Sequence, residues 1–191
     1  MKNLLVIIDM VNGFVNFGAL ADKNINKVTP NIIKLIEKAK DKNYHIVAFK
    51  DCHSLLDSEF KTYPVHCLKG TSESELIDEL KVYENEMQLI EKNTTNGFIT
   101  KDFQNIVKNI KIDNVYVSGC CTDICVQDFV TSYLKYIKEN NLKTKIYVVD
   151  DACYTFNNEN HNASLMHKNA IEKMKELGAI IVNYQKSREI V

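Results

Sequence analysis

The fold is decided by one stretch of the chain, VYVSGCCTDICV at residues 115–126. Its first four residues are mostly apolar and predict a strand that is buried on both faces of a sheet. A buried strand that leads directly into a helix is typical of α/β proteins with a parallel sheet. The helix is indicated by the i, i+3, i+4 spacing of Val126, Phe129, Val130, Tyr133, Leu134 and Ile137.

The same alternation of strand and helix patterns continues along the rest of the chain. Predicted strands occupy residues 4–8, 45–49, 88–91, 115–118, 146–149 and 179–182. Predicted helices occupy residues 31–42, 72–80, 101–109, 126–137 and 163–177. Pro30 suits a first helical turn with Thr29 as its cap, and Gly178 ends the last helix. The pattern predicts a three-layer α/β/α fold with a mostly parallel sheet of about six strands.

Composition and charge narrow the class of protein. The 191 residues carry a formal net charge of −1, with 45% apolar and 26% charged residues. We expect a single domain over residues 1–191, because no linker, repeat or low-complexity tract divides the chain. Neither a nucleic-acid nor a membrane partner is expected, since the sequence has no basic patch and no apolar stretch near the roughly 20 residues that span a bilayer. The short N-terminal apolar run lacks a signal-peptide cleavage site, so a cytoplasmic location is predicted.

The position of the functional site follows from the predicted sheet. Ligands of open parallel sheets bind beyond the carboxyl ends of the strands. We therefore expect the site at that edge of the sheet, where most of the reactive side chains fall. The candidate positions are Asp9, Lys50 to His53, Glu91 and Lys92, Gly119 to Cys125, and Asp150 to Cys153.

Cys125 is the candidate nucleophile. With Thr122 or Asp123 as the helix cap, Cys125 lies in the first helical turn, where the helix dipole favours the thiolate. Asp9 and Lys92 are charges at strand ends, and together with Cys125 they would make chemical sense as base, cation and nucleophile. The alternative is structural: a buried cysteine, a loop-capping aspartate and a solvated lysine. Six cysteines in a chain of this length without a secretion signal favour buried, catalytic or metal-binding roles over disulfides.

A candidate metal site follows the second predicted strand. Asp51 and His53 lie two residues apart, and Glu59 and His66 follow in a polar loop. Imidazoles and carboxylates with room for water suit zinc, iron or manganese. The alternatives are that these are ordinary surface residues, or that Cys52 and Cys67 supply thiolate ligands instead.

Several segments together resemble the isochorismatase-like hydrolases. The resemblance rests on DMVNGF at residues 9–14, GAL at 18–20, GCCTDICV at 119–126, DDAC at 150–153 and the helix from His161 to Gly178, and it spans essentially the whole chain. It implies a Rossmann-like sheet and a cysteine hydrolase in which Asp9, Lys92 and Cys125 are the catalytic residues. True isochorismatases cleave an ether and lack the nucleophilic cysteine, so Cys125 argues against that activity.

The segment YPVHCLKGT at residues 63–71 is similar to the Trp-Pro-Pro-His-Cys segment of nicotinamidases within this superfamily. The similarity implies that His66 is a metal ligand together with Asp51 and His53, that the fourth ligand is Glu59 or the nearby Asp57, and that the metal is zinc, or iron or manganese. It also implies that Phe14 and Tyr63 sandwich the ring of a small amide substrate. Departures at Tyr63, Val11 and Gly13, where the family has tryptophan, glutamine and aspartate, leave the substrate open more than the reaction. Cys121 also departs from the family, which commonly has alanine there.

The resemblance also implies a reaction, the hydrolysis of nicotinamide to nicotinate and ammonia through a thioester. The backbone N–H groups of Cys121 and Cys125 would stabilise the oxyanion, and the Cys120–Cys121 peptide bond would be cis. One alternative is a related cysteine hydrolase of another small amide or carbamoyl compound, and a remote one is a non-catalytic metal- or thiol-binding redox protein. Family members are often dimers or tetramers, which leaves a homo-oligomer open.

Overall fold

A computed structural model describes residues 2–186 and contains one six-stranded sheet. The strand order is β3-β2-β1-β4-β5-β6, and every neighbouring pair is parallel. The prediction of a mostly parallel sheet of about six strands is therefore confirmed. The strands are β1 (Asn3–Ile8), β2 (His45–Asp51), β3 (Gln88–Lys92), β4 (Asn114–Gly119), β5 (Lys145–Cys153) and β6 (Ile180–Val182).

Helices connect the strands and cover the sheet. They are α1 (Asn12–Val15), α2 (Thr29–Asp41), α3 (Asp78–Lys81), α4 (Lys101–Asn109), α5 (Gln127–Glu139) and α6 (Ala163–Glu176). Short 3-10 turns occur at Lys23–Val28, Ser58–Lys61, Ser72–Ser74, Glu84–Glu86 and Gly97–Ile99, and one π-helical turn at Thr122–Val126. None of the helices within residues 2–186 combines the length and the apolar character needed to cross a membrane.

The side chains of β1 alternate between two separate hydrophobic layers. Leu5 and Ile7 belong to the layer that contains the apolar face of α2, whereas Leu4, Val6 and Ile8 belong to the layer that contains α4, α5 and α6. All five side chains are at most 1% exposed. Both faces of the central strand are thus buried, which explains its unbroken apolar sequence and gives the predicted three-layer arrangement.

The predicted helix at residues 72–80 is wrong as one element. The structure has a 3-10 turn at Ser72–Ser74 and the short helix α3 at Asp78–Lys81, with an extended segment between them. In that segment the Glu75 carbonyl accepts from the Asn12 N–H at 2.9 Å, and the Ile77 N–H donates to the Met10 carbonyl at 3.1 Å. Pairing with the chain that leaves β1 therefore overrides the local helical pattern.

Thr29 does not cap α2, so that prediction is also wrong. The 3-10 turn Lys23–Val28 runs directly into α2, and the Val28 backbone is already helical. Thr29 lies inside the first turn, where its hydroxyl donates to Asn26 Oδ1 at 2.6 Å.

Strand β5 is also longer than predicted, because it continues past a register shift until Cys153 pairs with Gly119.

Gly119 allows β1 and β4 to meet at the edge that carries the site. It pairs with Ile8 and has a φ of +115°, a conformation that residues with a side chain rarely adopt. A methyl group at this position would overlap the Ile8 backbone. Gly178 has a nearly identical φ of +112°, but no atom lies within 4 Å of a methyl group placed there.

These two glycines separate backbone strain from steric overlap. We expect Gly178→Ala to lower the free energy of unfolding by about 1–2 kcal/mol, the cost of the conformation alone. Gly119→Ala should lower it by at least about 3 kcal/mol, or prevent folding, because β1 and β4 must also move apart. Denaturation of both variants by guanidinium measures the difference. Equal losses of stability would contradict the close approach of these strands.

Candidate active site and metal-ligand cluster

Three adjacent strand ends bring Asp9, Asp51 and Lys92 together. Asp51 and Lys92 are the last residues of β2 and β3 and are partners in the parallel register. Asp9 directly follows β1, and its N–H donates to the Phe49 carbonyl at 3.1 Å. The sheet thus places three ionisable groups side by side at its carboxyl edge, where the sequence predicts the site.

The Lys92 ammonium lies between two carboxylates. Its Nζ is 2.8 Å from Asp9 Oδ2 and 2.7 Å from Asp51 Oδ1, and the three side chains are at most 1% exposed. Burial lowers the pKa of Lys92, but the two carboxylates outweigh burial and hold this pKa well above its ordinary value. Lys92 is therefore a fixed buried cation, and its Nζ lies 4.0 Å from Cys125 Sγ.

Asp9 has the properties of a proton acceptor. Burial raises its pKa to about 7, against the opposing effect of Lys92. Apart from the Lys92 ion pair, no donor within residues 2–186 makes a hydrogen bond of good geometry to either carboxylate oxygen. Burial with so few hydrogen-bond donors favours the protonated form of this carboxyl group, so Asp9 can take up a proton near neutral pH.

Cys125 lies in the π-helical turn between β4 and α5 and is 7% exposed. Burial raises the pKa of its thiol well above the ordinary value, and Lys92 offsets this only in part. Loss of water and the two nearby carboxylates therefore outweigh any effect of the helix start on the pKa of this thiol. The thiol keeps its proton at rest and needs a base to become nucleophilic.

The backbone before Cys125 is arranged as the resemblance implies. The Cys120–Cys121 peptide bond is cis. The N–H of Cys121 donates to no backbone carbonyl within residues 2–186. Cys121 and Cys125 both line a cavity at this edge of the sheet, so both are within reach of a molecule bound there.

Asp51, His53, Glu59 and His66 form a compact group of ligand atoms. Each residue offers one atom that can bind a metal, and these four atoms lie within 4.8 Å of one another. Glu59 is half-buried and the other three residues are buried. Neither Cys52 nor Cys67 belongs to the group among residues 2–186, so the alternative with thiolate ligands is not favoured. The Cys67 thiol instead donates a hydrogen bond to the Glu73 carbonyl oxygen, which lies 3.7 Å from Sγ.

The hydrogen bonds of the two imidazoles fit a bound cation. His66 Nδ1 lies 2.7 Å from the Pro64 carbonyl, which can only accept, and His53 Nδ1 lies 3.1 Å from the Asp57 carboxylate. Both Nδ1 atoms therefore carry protons, and both Nε2 atoms face Asp51 Oδ2, at 2.9 and 3.0 Å. In their neutral form both rings would offer an Nε2 lone pair to a divalent cation held among these residues.

A cavity of about 360 Å³ connects the two groups. Cys121 and Cys125 lie on its wall together with Glu59 and His66. Phe14 and Tyr63 also line it, and their ring centroids lie 5.6 and 6.4 Å from that of His66. The remaining wall residues are Ala19, Leu20, Ala21, Asp22, Thr95, Ile124, Phe156, Asn157 and Asn158.

Glycine at position 13, where the family has aspartate, has a steric explanation. A Cβ atom at position 13 would lie 2.5 Å from Cys67 Sγ and 3.2 Å from the Glu73 carbonyl oxygen. Gly13 therefore lets the loop that carries His66 and Cys67 pack directly on α1. The Cys67 N–H also donates to Glu73 Oε2 at 2.9 Å, which fixes this part of the loop.

Two histidine contacts to the nucleophile turn were not predicted from the sequence. The Thr122 hydroxyl is hydrogen-bonded to His167 Nδ1 at 2.9 Å, and His167 Nε2 donates to Asp150 Oδ1 at 3.0 Å. His161 Nε2 donates to Asp123 Oδ2 at 2.7 Å. The predicted caps are therefore wrong, since Cys121 precedes the turn without a side-chain bond to it. No sequence spacing signals these contacts, because the partners lie 45 and 38 residues apart.

Comparison with known proteins assigns the family. The isochorismatase domain model matches residues 3–185. Nicotinamidase 1 of Arabidopsis thaliana is 33% identical over 94% of this chain and 84% of its own length. The crystal structure of N-carbamoylsarcosine amidase from Thermoplasma acidophilum is 28% identical, covers 96% of both chains and has a TM-score of 0.79. Pyrazinamidase of Pyrococcus horikoshii in complex with zinc is 25% identical over 96% of this chain and 99% of its own, with a TM-score of 0.77. The fold, the matched length and the 33% identical relative together show that this chain belongs to the isochorismatase family.

Proposed function

We propose that this chain is a metal-assisted nicotinamidase, which hydrolyses nicotinamide to nicotinate and ammonia through a thioester on Cys125. The observation that carries the proposal is the shared cavity, onto which the nucleophile and two members of the metal-ligand group open together. The similarity to nicotinamidase 1 of Arabidopsis thaliana supports the choice of nicotinamide. The six cysteines are free thiols, which fits the reducing conditions of a cytoplasmic enzyme.

In the acylation step the Asp9 carboxylate takes the proton of the Cys125 thiol. The thiolate then attacks the amide carbon, and the new C–S bond shifts an electron pair onto the carbonyl oxygen. The N–H groups of Cys121 and Cys125 stabilise this oxyanion. When the C–N bond breaks, protonated Asp9 gives its proton to the leaving nitrogen, and ammonia departs.

In the deacylation step Asp9 acts a second time as the base. It takes a proton from a water molecule, and the hydroxide oxygen attacks the thioester carbon. The C–S bond breaks, Cys125 recovers its proton from Asp9, and the acid is released. Lys92 keeps its charge throughout and stabilises whichever of Asp9 and Cys125 is anionic, since its Nζ lies 2.8 Å from Asp9 and 4.0 Å from Cys125.

Asp51, His53, Glu59 and His66 would hold the metal, with zinc the first choice by analogy with the pyrazinamidase of Pyrococcus horikoshii. When bound, a divalent cation supplies a Lewis-acidic position for the pyridine nitrogen of the substrate. Asp57 then acts from outside the ligand group by orienting the His53 ring, at 3.1 Å. Phe14 and Tyr63 would contact the two faces of the substrate ring.

The second candidate function is the hydrolysis of a carbamoyl compound by the same three residues. It is favoured by the similarity to N-carbamoylsarcosine amidase from Thermoplasma acidophilum, at 28% identity over 96% of the chain. The buried Asp9–Lys92–Cys125 group is common to both functions. The two substrates differ in one respect that concerns the metal. Nicotinamide has a pyridine nitrogen that can bind a cation, whereas an open-chain carbamoyl compound has no such ring.

The first prediction concerns the nucleophile and its base. We expect Cys125→Ala and Asp9→Asn each to lower kcat/KM for ammonia release from nicotinamide at least about a thousandfold, because each removes a participant in C–S bond formation. Cys153→Ser is the matched control, since this thiol is also buried but lies outside the cavity. Ammonia release by the Cys125→Ala protein at the wild-type rate would contradict the thioester mechanism.

The second prediction concerns pH. The Asp9 carboxylate must be ionised to take the thiol proton, and its pKa is raised to about 7. A raised carboxyl pKa means that activity is lost as the pH falls through about 7 and is retained above it. The measurement is kcat/KM between about pH 5.5 and about pH 8.5, with the metal content checked at each pH. A profile that is flat across this range argues against Asp9 as the base.

The third prediction concerns the metal. Chelator treatment should abolish nicotinamide hydrolysis, and added zinc, iron(II) or manganese(II) should restore it. His53→Ala and His66→Ala should lose bound metal, whereas His45→Ala should retain it, since His45 contacts Gln88 away from the ligand group. Asp57→Asn should weaken metal binding about 10- to 100-fold through the His53 ring. Full activity of the metal-free protein would exclude a metal-assisted mechanism.

A panel of amides separates the two candidate functions. Nicotinamide, pyrazinamide and N-carbamoyl amino acids are each incubated with metal-loaded and chelated protein, and released ammonia is measured. Metal-dependent turnover of the two aromatic amides supports the nicotinamidase. Turnover of the carbamoyl compounds alone replaces it with the second candidate.

A further inference from the structure

One wall of the cavity is built by a loop with no regular secondary structure. Phe156, Asn157 and Asn158 line the cavity and lie between β5 and α6. Phe14 and Tyr63, by contrast, lie beside His66 at the metal-ligand group. Phe156 is therefore a third aromatic residue of the cavity wall, after Phe14 and Tyr63, and the roles argued so far do not use it.

The two ends of this loop are fixed by the backbone. The Tyr154 N–H donates to the Gly119 carbonyl at 3.2 Å, and the Thr122 N–H donates to the Tyr154 carbonyl at 3.1 Å. At the other end Asn162 caps α6 by accepting from the Leu165 N–H. The part that carries Phe156 lies between these attachments and needs contacts of its own to keep one position.

His161 supplies such contacts to Phe156. The two rings stack at 3.9 Å between centroids with an interplanar angle of 8°. His161 Nδ1 also donates to the Phe156 carbonyl at 2.9 Å. The backbones of His161 and Asn158 exchange two hydrogen bonds, which closes the loop into a tight turn around this stack.

The same imidazole fastens the loop to the nucleophile turn. His161 Nε2 donates to Asp123 Oδ2 at 2.7 Å, and Asp123 is two residues before Cys125. Their side chains are only 15% and 9% exposed, so water competes weakly for this hydrogen bond.

A second attachment lies on the other side of the loop. Asp22 Oδ2 accepts from the Asn157 N–H at 2.7 Å, and the Asp22 N–H donates to the Phe14 carbonyl at 3.0 Å. The loop is thus attached both to the chain segment that carries Phe14 and to the turn that carries Cys125. Of these two attachments, the one through His161 also stacks on the Phe156 ring.

We propose that His161 is a positioning residue for substrate binding, which holds the Phe156 ring as a wall of the cavity at a fixed place relative to Cys125. The proposal rests on the proposed function for its substrate. A wall contact of this kind acts on the bound substrate and on the transition state alike, so its loss raises KM more than it lowers kcat.

The test compares four variants with nicotinamide as substrate. We expect His161→Ala and Phe156→Ala each to raise KM about tenfold while kcat changes less than about threefold. The double variant should raise KM no more than Phe156→Ala alone, because His161 acts through that ring. His161→Gln, which keeps a donor for Asp123, should restore part of the affinity. His45→Ala is the control for loss of an imidazole elsewhere, and thermal unfolding shows that each variant is folded.

Two outcomes would overturn the positioning role. One is a KM for His161→Ala equal to that of the wild type. The other is a double variant whose KM rises by the product of the two single effects, about a hundredfold. Either result would mean that His161 does not act on the substrate through Phe156.

A readout without turnover separates this proposal from the proposed function. The reagent is iodoacetamide, a small reactive amide. Mass spectrometry measures the rate at which it alkylates Cys125. A loosened wall should raise that rate at least about fivefold in His161→Ala. If the wild type releases no ammonia from nicotinamide, the proposed function fails. The positioning role is then decided by alkylation alone, where equal rates in the wild type and His161→Ala would overturn it.

Discussion

The burial of one ammonium group between two carboxylates is the interaction on which the rest of the site depends. Lys92 lies 2.8 Å from Asp9 and 2.7 Å from Asp51, and all three side chains are removed from water. Each of these ions would cost several kcal/mol to bury alone, so the ammonium and the carboxylates stabilise one another's charges. The parallel register of β1, β2 and β3 provides the arrangement, because it brings three consecutive strand ends to the same edge of the sheet.

Asp51 links the two halves of this site. One of its oxygens faces Lys92, and the other faces the Nε2 atoms of His53 and His66. Burial raises the pKa of this carboxyl, but Lys92 and the two imidazoles outweigh burial and hold the pKa below its ordinary value. One ammonium facing two carboxylates leaves an excess of negative charge, which a cation in the ligand group would balance. The charge of Asp9 and that of any cation in the ligand group are therefore electrostatically connected through Lys92 and Asp51.

Much of this arrangement was predictable from local sequence. Unbroken apolar runs mark buried strands, and a charged residue directly after such a run lies at a predictable edge of the sheet, as Asp9 and Lys92 do. Features that depend on distant contacts were not predictable. The extended segment at residues 75–77 forms because it pairs with the chain after β1, and Thr122 and Asp123 bond to histidines of a distant helix and loop rather than capping their own turn. The raised pKa of Cys125 depends on burial, which position at a helix start does not reveal.

The contact between Gly13 and Cys67 has a consequence for how such sequences can diverge. The two residues lie in separate segments, yet the space left by the missing side chain at position 13 is filled by the sulfur at position 67. A relative with a larger residue at the first position must move or shorten the second loop, and with it the neighbouring His66. The family's combination of aspartate and cysteine at these two positions therefore requires a wider spacing between α1 and this loop than the present chain has. A loop grafted from such a relative would keep its shape here only if the residue at position 13 were transplanted with it.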